Sequence, residues 1–360
     1  MKSLQIVKLY APVIGGVEKI AQDVAEGLGS DVLCCRKTGR RAVEGINGVK
    51  VIRTASFGMY FAMPVSFDFL RVWRKIKNNY AVIDLHAPFP LADLALFIFQ
   101  PKGKLIVHYH SDIVRQKLLS LLLKPILLST LRRADKILVS SPNLKSSSFV
   151  LQKFQNKVEV VPFGLDINQY DKFNADFVTE LKNKYGKFAL YIGRFGYYKG
   201  LDYLVRAMQR VDYKLIMIGD GKERFKIEKL IVNLGLTEKI ILLPFQTAEK
   251  LRDYFHASSV FVLPSIYRSE AFGIVLMEAL ACGTPLVSTE LETGTSFVNE
   301  HKKTGLVVKK ADAFELGEAI NTILSDDFLQ AEYSKHALER AKKVFDIEIM
   351  LDKIRESYKI

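Results

Sequence analysis

Glu270 and Glu278 stand eight residues apart, one in a loop and one inside the helix predicted after it. An apolar strand at 260–263 precedes the loop, and the helix covers 272–281 before Gly283 ends it. In parallel α/β sheets, ligands bind where a helix starts beyond the carboxyl end of a strand. The two carboxylates could therefore contact separate parts of a long ligand, although acidic residues also favour helix starts for electrostatic reasons alone.

Two cations, Arg194 and Lys199, follow another predicted strand at 188–192 and share the glycine-rich segment 193–200. A forked guanidinium and a compact ammonium together suit a diphosphate, whereas surface cations in a glycine-rich turn are the plainer interpretation. The unpaired amides at the start of the 272–281 helix would add donors for an anion. These are the amides of Phe272, Gly273 and Ile274.

The N-terminal half offers weaker candidates at the ends of predicted strands. Gly15 and Gly16 occupy a strand-to-helix turn, where glycine lets the backbone approach a phosphate, although any tight turn could use them. His86 and His110 end two other strands, a position where a single histidine is usually structural. The run His110-Ser111-Asp112 is not a catalytic triad, because a triad is a spatial arrangement.

Alternating strands and helices must position these residues. The alternation predicts parallel, doubly wound sheets, and 360 residues suggest two domains. The predicted strands of the N-terminal half are 5–10, 32–35, 49–53, 81–85, 105–109, 137–140 and 158–161. Those of the C-terminal half are 188–192, 214–218, 240–245, 260–263, 286–288 and 305–308.

The distribution of charge differs between the halves. Residues 1–167 hold 24 Lys and Arg against 12 Asp and Glu, a net +12, whereas residues 168–360 hold 28 against 27, a net +1. The basic half suggests an acidic partner: a phospholipid surface, a lipid phosphate or nucleic acid. No signal peptide, membrane-spanning run or disulfide spacing is evident among the three cysteines, which favours a cytoplasmic protein.

A Leu-rich basic segment at 113–133 could lie in a membrane interface or pack on a sheet as an ordinary helix. Pro125 should kink or divide it. The segment 57–64, rich in aromatic residues and Met, could equally be core or a loop at the mouth of an acceptor site. The candidate membrane or acceptor contacts are Arg115, Lys117, Lys124, Arg132 and Arg133.

The segment SEAFGIVLMEALACGTP resembles the E-x7-E element of the retaining glycosyltransferases of family 4, which have the GT-B fold. The resemblance implies that Glu270 meets the transferred sugar and that Glu278 holds the ribose hydroxyls. It assigns Arg194 and Lys199 to the donor diphosphate. Further matches, less specific, are Gly15-Gly16 as a cleft-facing loop, His110 as a contact of the donor sugar, and Phe245 with Gln246 as neighbours of the base. The implied catalytic residues are Glu270, His110, Arg194 and Lys199.

A GT-B enzyme has two Rossmann-like domains that face each other across a deep cleft. By resemblance, an acceptor-binding domain covers 1–167 and is completed by a C-terminal helix at 345–360. A nucleotide-sugar-binding domain covers 168–344. No metal-binding D-x-D is evident, so the resemblance implies fixed cations in place of a metal and no cofactor besides the donor co-substrate.

The implied activity is retaining transfer of a hexose to a lipid-linked saccharide in cell-surface polysaccharide or glycolipid synthesis. GDP-mannose is the first expected donor and a UDP-hexose the next, with the enzyme peripheral on the inner face of the cytoplasmic membrane. The alternatives are a GT-B sugar-nucleotide epimerase, a nucleic-acid-binding protein and a peripheral scaffold without activity. Nucleic acid is not expected, because the basic clusters interleave with Leu rather than with aromatic residues.

Overall fold

The computed structural model describes residues 2–13, 15–60, 63–112 and 117–359, except for the side chains of 117–122. The chain forms two compact units. Unit 1 comprises Met1–Gly164 and Ile347–Ile360, and unit 2 comprises Leu165–Asp346. These divisions fall within three residues of the predicted domain boundaries. Unit 1 carries 27 basic and 14 acidic residues, and unit 2 carries 25 of each, so the whole net charge of +13 belongs to unit 1.

Unit 1 is built on an eight-stranded sheet flanked by helices. Its strands are β1 (Ser3–Ile6), β2 (Asp31–Cys35), β3 (Ala42–Ile46), β4 (Val49–Thr54), β7 (Val82–Ala87), β8 (Lys104–Tyr109), β9 (Lys136–Val139) and β10 (Val158–Val160), with a separate hairpin of β5 (Met59–Tyr60) and β6 (Met63–Pro64). Its helices are α1 (Gly16–Leu28), α2 (Phe67–Ile76), α3 (Pro90–Ile98), α4 (Lys117–Arg133), α5 (Pro142–Ser147) and α14 (Ile347–Tyr358).

The strand order of unit 1 is β10-β9-β8-β7-β1-β2-β4-β3, and every neighbouring pair is parallel except β3 with β4. β3 was not predicted from the sequence, although Asn47-Gly48 is a strong hairpin signal. Both residues adopt positive φ, 49° and 79°, as the tight turn requires. The first predicted strand is also wrong at its end, because β1 stops at Ile6 and not at residue 10.

Unit 2 is built on a six-stranded sheet in which all neighbouring strands are parallel. Its strands, in the order β13-β12-β11-β14-β15-β16, are β11 (Phe188–Ile192), β12 (Lys214–Ile218), β13 (Ile240–Leu243), β14 (Val260–Leu263), β15 (Leu286–Thr289) and β16 (Gly305–Val308). Its helices are α6 (Ala175–Tyr185), α7 (Leu201–Ala207), α8 (Arg224–Asn233), α9 (Ala248–Ala257), α10 (Ile274–Ala281), α11 (Gly294–Val298), α12 (Ala313–Ser325) and α13 (Asp327–Val344).

Burial explains why the strands could be recognised in the sequence. Every residue of β11, β14 and β15 is buried, because helices cover both faces of a parallel sheet. Such strands are continuous apolar runs rather than alternating patterns. The predicted fold class, two Rossmann-like α/β domains with largely parallel sheets, is confirmed.

The described part of α4 packs on the sheet of unit 1 as an ordinary helix. Leu127 and Leu131 enter the core, and the helix continues across Pro125 without division. Arg115 lies outside the described residues, as does the whole 113–116 start of this predicted segment. Within the part of the chain that the structure covers, no helix is both long and apolar enough to cross a membrane.

Candidate active site

The carboxyl edge of the unit 2 sheet brings together the loops after β11 and β14. The loop after β11 ends in a 3-10 turn, Tyr197–Lys199, and Gly200 follows it with φ 63°. The amide of Ile266 donates to the carbonyl oxygen of Tyr198 at 2.9 Å. A Cβ at Gly200 would lie 2.2 Å from the carbonyl oxygen of Pro264, so only glycine permits this close approach.

Lys199 and Glu270 form an ion pair at this contact. The Lys199 Nζ lies 2.5 Å from Glu270 Oε2, and the two side chains are only 8% and 11% exposed. Ser265 donates a second hydrogen bond, 3.1 Å long, to the same carboxylate oxygen. Glu270 Oε1 accepts no hydrogen bond from the described residues, so one carboxylate oxygen and two ammonium protons remain for a ligand.

Arg194 lies in the same loop, but its side chain is exposed. Its carbonyl oxygen accepts a hydrogen bond of 3.1 Å from the hydroxyl of Tyr191. Burial, and then the Glu270 charge, raise the pKa of Tyr191, so the hydroxyl keeps the proton that it donates. The guanidinium of Arg194 makes no hydrogen bond or ion pair with any residue described in the structure, which leaves its forked donors for an anion.

The helix after Glu270 starts two residues later than predicted. Gly273 is its N-cap in the left-handed conformation, with φ 79°. Of the three residues whose amides were predicted as anion donors, Phe272 and Gly273 therefore precede α10, and Ile274 is its first residue. Phe272 is buried against Phe297 and Phe345, with ring centroids 6.4 and 6.2 Å away. The expectation that both Phe272 and Gly273 lie within the helix is therefore wrong.

A loop that the sequence analysis did not single out supports this segment. Thr293 donates from its hydroxyl to the carbonyl oxygen of Glu270 at 2.9 Å. The amide of Gly294 donates to the carbonyl oxygen of Ala271 at 2.8 Å. These two bonds fix the backbone that carries Glu270 into α10.

Glu278, on α10, has a partner that the sequence did not reveal. Tyr170 donates from its hydroxyl to Glu278 Oε1 at 3.2 Å. Burial, and then Glu278 itself, raise the pKa of Tyr170, which therefore remains a donor. The carbonyl oxygen of Tyr170 is in turn 2.7 Å from Nε2 of His256 on α9. Because Tyr170 follows a short 3-10 turn with no motif around it, no local sequence signal marked it.

The next two strand ends complete the same edge. Gly219 and Gly221 follow β12, and a Cβ at either would lie 2.0 or 2.4 Å from the carbonyl oxygen of Gly193 or Phe195. Because neither position has room for a side chain, the two glycines let this segment pack directly against the backbone of the Arg194 loop. Phe245 and Gln246 follow β13, with Phe245 62% exposed and the Gln246 amide donating to the carbonyl oxygen of Pro244 at 3.0 Å.

In unit 1, Gly15 is the N-cap of α1 and Gly16 is its first residue. The Glu18 carboxylate folds over Gly15, where an added Cβ would meet it at 2.2 Å. His110 follows β8 and is buried, with its Nε2 2.9 Å from Nδ1 of His86. Burial, and then His108, lower the pKa of His110 to about 3, so its imidazole is neutral at physiological pH.

The described basic residues of α4 differ in their surroundings. Arg133 is half-buried and donates to the carbonyl oxygen of Pro101, and burial lowers its pKa. Lys124 lies over the Phe149 ring at 5.7 Å, whereas Arg132 is exposed. Lys117 begins the helix. Because α4 returns towards the start of β9, Arg132 and Arg133 lie at the amino edge of the sheet, opposite to His110.

An exposed aromatic surface surrounds the β5–β6 hairpin, so the 57–64 segment is exposed at Phe57 and Tyr60 and partly or fully buried at Met63 and Pro64. Phe57, Tyr60 and Phe67 are 76%, 62% and 67% exposed, although Met63 packs partly on the core. A bridge between Gly39 and Ser56 places a basic loop beside the hairpin. The loop carries Arg36, Lys37, Arg40 and Arg41, of which Arg41 pairs with Asp68.

Across the described ranges, no group of three or more His, Cys, Asp or Glu side chains could hold a metal ion. The cations of the site are those of Arg194 and Lys199.

Comparison with known proteins adds the family. Residues 14–169 match the model Glycosyltransferase Family 4, and residues 172–344 match Glycosyl transferases group 1. The chain is 32% identical to the O-antigen chain mannosyltransferase C of Escherichia coli over 98% of its own length and 96% of that protein. It is 31% identical to D-rhamnosyltransferase WbpZ of Pseudomonas aeruginosa, over 96% and 92% of the two chains.

A solved structure agrees at the level of the fold. The crystal structure of Anabaena Alr3699/HepE in complex with UDP superposes with a TM-score of 0.82 at 21% identity, covering 99% of each chain. With two matching domain models in order and full-length relatives above 30% identity, the chain belongs to the group 1 glycosyltransferases of the GT-B fold.

Proposed function

We propose that this protein is a retaining glycosyltransferase that moves a hexosyl group from a nucleotide diphosphate sugar to a lipid-linked saccharide. The observation that carries the proposal is the buried Lys199–Glu270 pair, held beside the exposed Arg194 at the carboxyl edge of the unit 2 sheet. It combines two cations for a diphosphate, of which Lys199 is held by Glu270, with a carboxylate whose second oxygen accepts no bond from the described residues.

Each polar group has a role that its geometry supports. Arg194 and the two remaining ammonium protons of Lys199 bind the donor diphosphate, and Glu270 Oε1 accepts a hydroxyl of the sugar. Glu278, oriented by Tyr170, accepts the ribose hydroxyls. The exposed ring of Phe245 stacks on the base, with Gln246 beside it. In unit 1, the Gly15–Gly16 turn at the start of α1 offers backbone amides that suit an anionic group.

The proposed mechanism depends on where charge develops as the donor bond breaks. The bond between the sugar C1 and the diphosphate oxygen breaks, which leaves negative charge on the diphosphate and positive character on the sugar ring. Arg194 and Lys199 stabilise the leaving group without a metal or other cofactor. The acceptor hydroxyl oxygen bonds to C1 on the same face, and its proton passes to the departing diphosphate oxygen. The products are the glycoside, with retained configuration, and the nucleoside diphosphate.

The names of two relatives limit the choice of the sugar that the donor carries. One names a mannosyl group and the other a D-rhamnosyl group, and D-rhamnose is 6-deoxy-D-mannose. Both transferred sugars therefore share the manno configuration and differ only at C6. This supports GDP-mannose as the first donor to test, with UDP-hexoses next.

The acceptor side is supported by charge and by exposed aromatic rings. Unit 1 holds the entire net charge of +13, and the β5–β6 hairpin presents Phe57, Tyr60 and Phe67 beside a basic loop. Aromatic rings beside cations suit the interface of an anionic membrane. We place the enzyme at the inner face of the cytoplasmic membrane, where it would meet a lipid-linked acceptor.

Thermal stability in the presence of UDP, GDP, ADP and dTDP tests the donor site. A nucleotide at 100 times its dissociation constant should add about 2.7 kcal/mol, a shift of a few degrees. Stabilisation by one nucleotide, largely lost in Glu278→Ala, would support the site and identify the base. A folded protein that no nucleotide stabilises would contradict the transferase proposal.

Transfer and membrane binding are tested separately. With the identified donor and a polyprenyl-diphosphate-linked saccharide, product should form in EDTA, and its one-bond C1–H1 coupling should report retained configuration.

Sedimentation with vesicles containing phosphatidylglycerol should decrease when Phe57 and Phe67 become Ser. The same change at Phe225 and Phe328, which are 78% and 81% exposed in unit 2, serves as the matched control. Equal binding by both double variants would contradict the assignment of the hairpin.

A further inference from the structure

A line of buried side chains continues from His110 through unit 1. Nδ1 of His86 lies 2.9 Å from Nε2 of His110, and Nε2 of His86 lies 2.9 Å from Oε1 of Gln5. The two imidazole rings stack at 5.1 Å with an interplanar angle of 10°. Gln5, on β1, is fully buried, and His86, on β7, is 2% exposed. The line therefore connects the centre of the sheet with its carboxyl edge.

A buried carboxylate fixes the orientation of the Gln5 amide. Nε2 of Gln5 lies 3.2 Å from Oδ2 of Asp84 and 2.6 Å from the hydroxyl of Tyr358, and that hydroxyl lies 2.5 Å from the same Oδ2. Burial, and then Asp84, raise the pKa of Tyr358, so its hydroxyl donates to the carboxylate. Because a carboxylate only accepts, the NH₂ of Gln5 must face Asp84 and its oxygen must face His86.

His108 borders the line without joining it. Its Nε2 lies 3.1 Å from Asp84 Oδ2, but the angle does not make a hydrogen bond, and the atom is left buried without a partner. Its ring stacks on His86 at 4.9 Å. Asp84 thus accepts hydrogen bonds from Gln5 on β1 and Tyr358 on α14, and the His108 ring on β8 lies beside it.

The proton positions follow one from the next. Gln5 Oε1 accepts, so His86 carries its proton on Nε2. Burial, and then the neighbouring histidines, hold the pKa of His86 well below its usual range, so its Nδ1 is a bare acceptor. His110 must then donate from Nε2. Because His110 is also neutral, its Nδ1 is bare, and it has no hydrogen-bond partner among the described residues.

We propose that His86, together with Gln5, Asp84 and Tyr358, acts as a positioning network that holds His110 in its neutral Nε2–H tautomer, with Nδ1 as the acceptor for a sugar hydroxyl. The choice of ligand rests on the proposed function, whereas the tautomer does not. A neutral acceptor suits this site, because an imidazolium would repel the positive character that develops on the sugar ring. The C-terminal helix thereby contributes to the site through Tyr358.

The tautomer can be read directly in the ligand-free, full-length protein labelled with ¹⁵N-histidine. Long-range ¹H–¹⁵N spectra distinguish a protonated from a bare ring nitrogen, and His110→Gln assigns the signals of His110. We expect a single Nε2–H tautomer, unchanged from roughly pH 5 to pH 8. An Nδ1–H tautomer, or an imidazolium within that range, would overturn the proposal.

Variants test the positioning role. His86→Phe keeps a stacking ring but removes the acceptor, so His110 should become a mixture of tautomers. His86→Asn, whose side-chain oxygen can occupy the position of Nδ1, should restore the single form. Gln5→Met gives a second route to the mixture if His86→Phe does not fold. An unchanged His110 spectrum in a folded variant that lacks the acceptor would overturn the network.

Kinetics with the identified donor distinguish a positioning role from a purely structural one, because only a positioning role predicts a change in kcat without a change in KM. His86→Phe should lower kcat by about 10-fold or more with little change in KM, because misplacing a contact group acts mainly on the transition state. His86→Asn should recover much of that loss. Failure to detect transfer in the wild-type protein would count against the proposed function, and the spectra would still decide the tautomer.

Discussion

Lys199 and Glu270 form a pair in which each charge depends on the other. Both side chains are about nine-tenths buried, so removal of one leaves the other charge desolvated without a partner. We expect Lys199→Met to lower the free energy of unfolding by about 3–5 kcal/mol, measured by urea denaturation. Combining it with Glu270→Gln, which keeps an acceptor for Ser265, should recover most of the loss. Additive single and double effects would show that the pair is not coupled.

Tyr170 should affect nucleotide binding through Glu278. Tyr170→Phe removes only the hydroxyl that orients the Glu278 carboxylate, at 3.2 Å. Hydrogen bonds to charged groups are worth about 1.5–3 kcal/mol, so calorimetry should show binding of the identified nucleotide that is weaker by about 10-fold or more. Tyr254→Phe, at a buried tyrosine on α9 that packs on Phe177, is the matched control. Equal affinities for the two variants would contradict the role of Tyr170.

At the scale of elements, the loop after β11 depends on Gly200. Alanine there would face two costs: a left-handed φ of 63° and a Cβ 2.2 Å from the carbonyl oxygen of Pro264. Gly29, after α1, has nearly the same left-handed conformation, with φ 62° and ψ 36°, and no atom lies within 4 Å of an added Cβ, so Gly29→Ala isolates the first cost, about 1–2 kcal/mol. Gly200→Ala should lose more stability than this and most transfer activity. Equal losses in both variants would show that the Pro264 contact does not matter.

The elements themselves were largely predictable, because buried parallel strands are uninterrupted apolar runs. β11 and β14 were found in the sequence for this reason. β3 was missed because its edge position leaves Val43 to Gly45 exposed, which removes the apolar signal. The start of α10 was misplaced because the sequence pattern did not show that Gly273 would leave the helical conformation.

Residues of the candidate site could be predicted only where they belong to short sequence segments with informative residue types and spacing. Arg194, Lys199, Glu270 and Glu278 belong to recognisable segments, so their residue types and spacing were informative. Their partners were not, because a contact such as Tyr170 with Glu278 joins distant parts of the chain through the fold. The same applies to Gln5 and Tyr358, which meet at Asp84 only because β1 lies beside β7 and α14 packs on the sheet.

At the scale of the whole molecule, buried groups in unit 1 make stability depend on pH in two opposite directions. The pKa of His110 is held at about 3, whereas the unfolded chain takes up this proton near pH 6.5, so His110 lowers stability as pH falls between these values. Burial raises the pKa of Asp93 on α3 from 3.8 to about 7, so its contribution is present at low pH and is lost as pH rises through 7.

The two effects should nearly cancel in the wild-type protein and separate in single variants. Relative to the wild type, His110→Gln should gain about 2 kcal/mol of unfolding free energy on going from pH 6.5 to pH 4.5, because it no longer leaves an imidazole to be protonated on unfolding. Asp93→Asn should lose a similar amount over the same interval, because the wild-type carboxyl takes up its proton in the folded state. Urea denaturation at both pH values measures this. His86 and His256, whose pKa values burial also lowers, act in the same direction as His110 but are common to both variants. Parallel pH profiles for the three proteins would mean that neither group is held in the protonation state that its burial dictates.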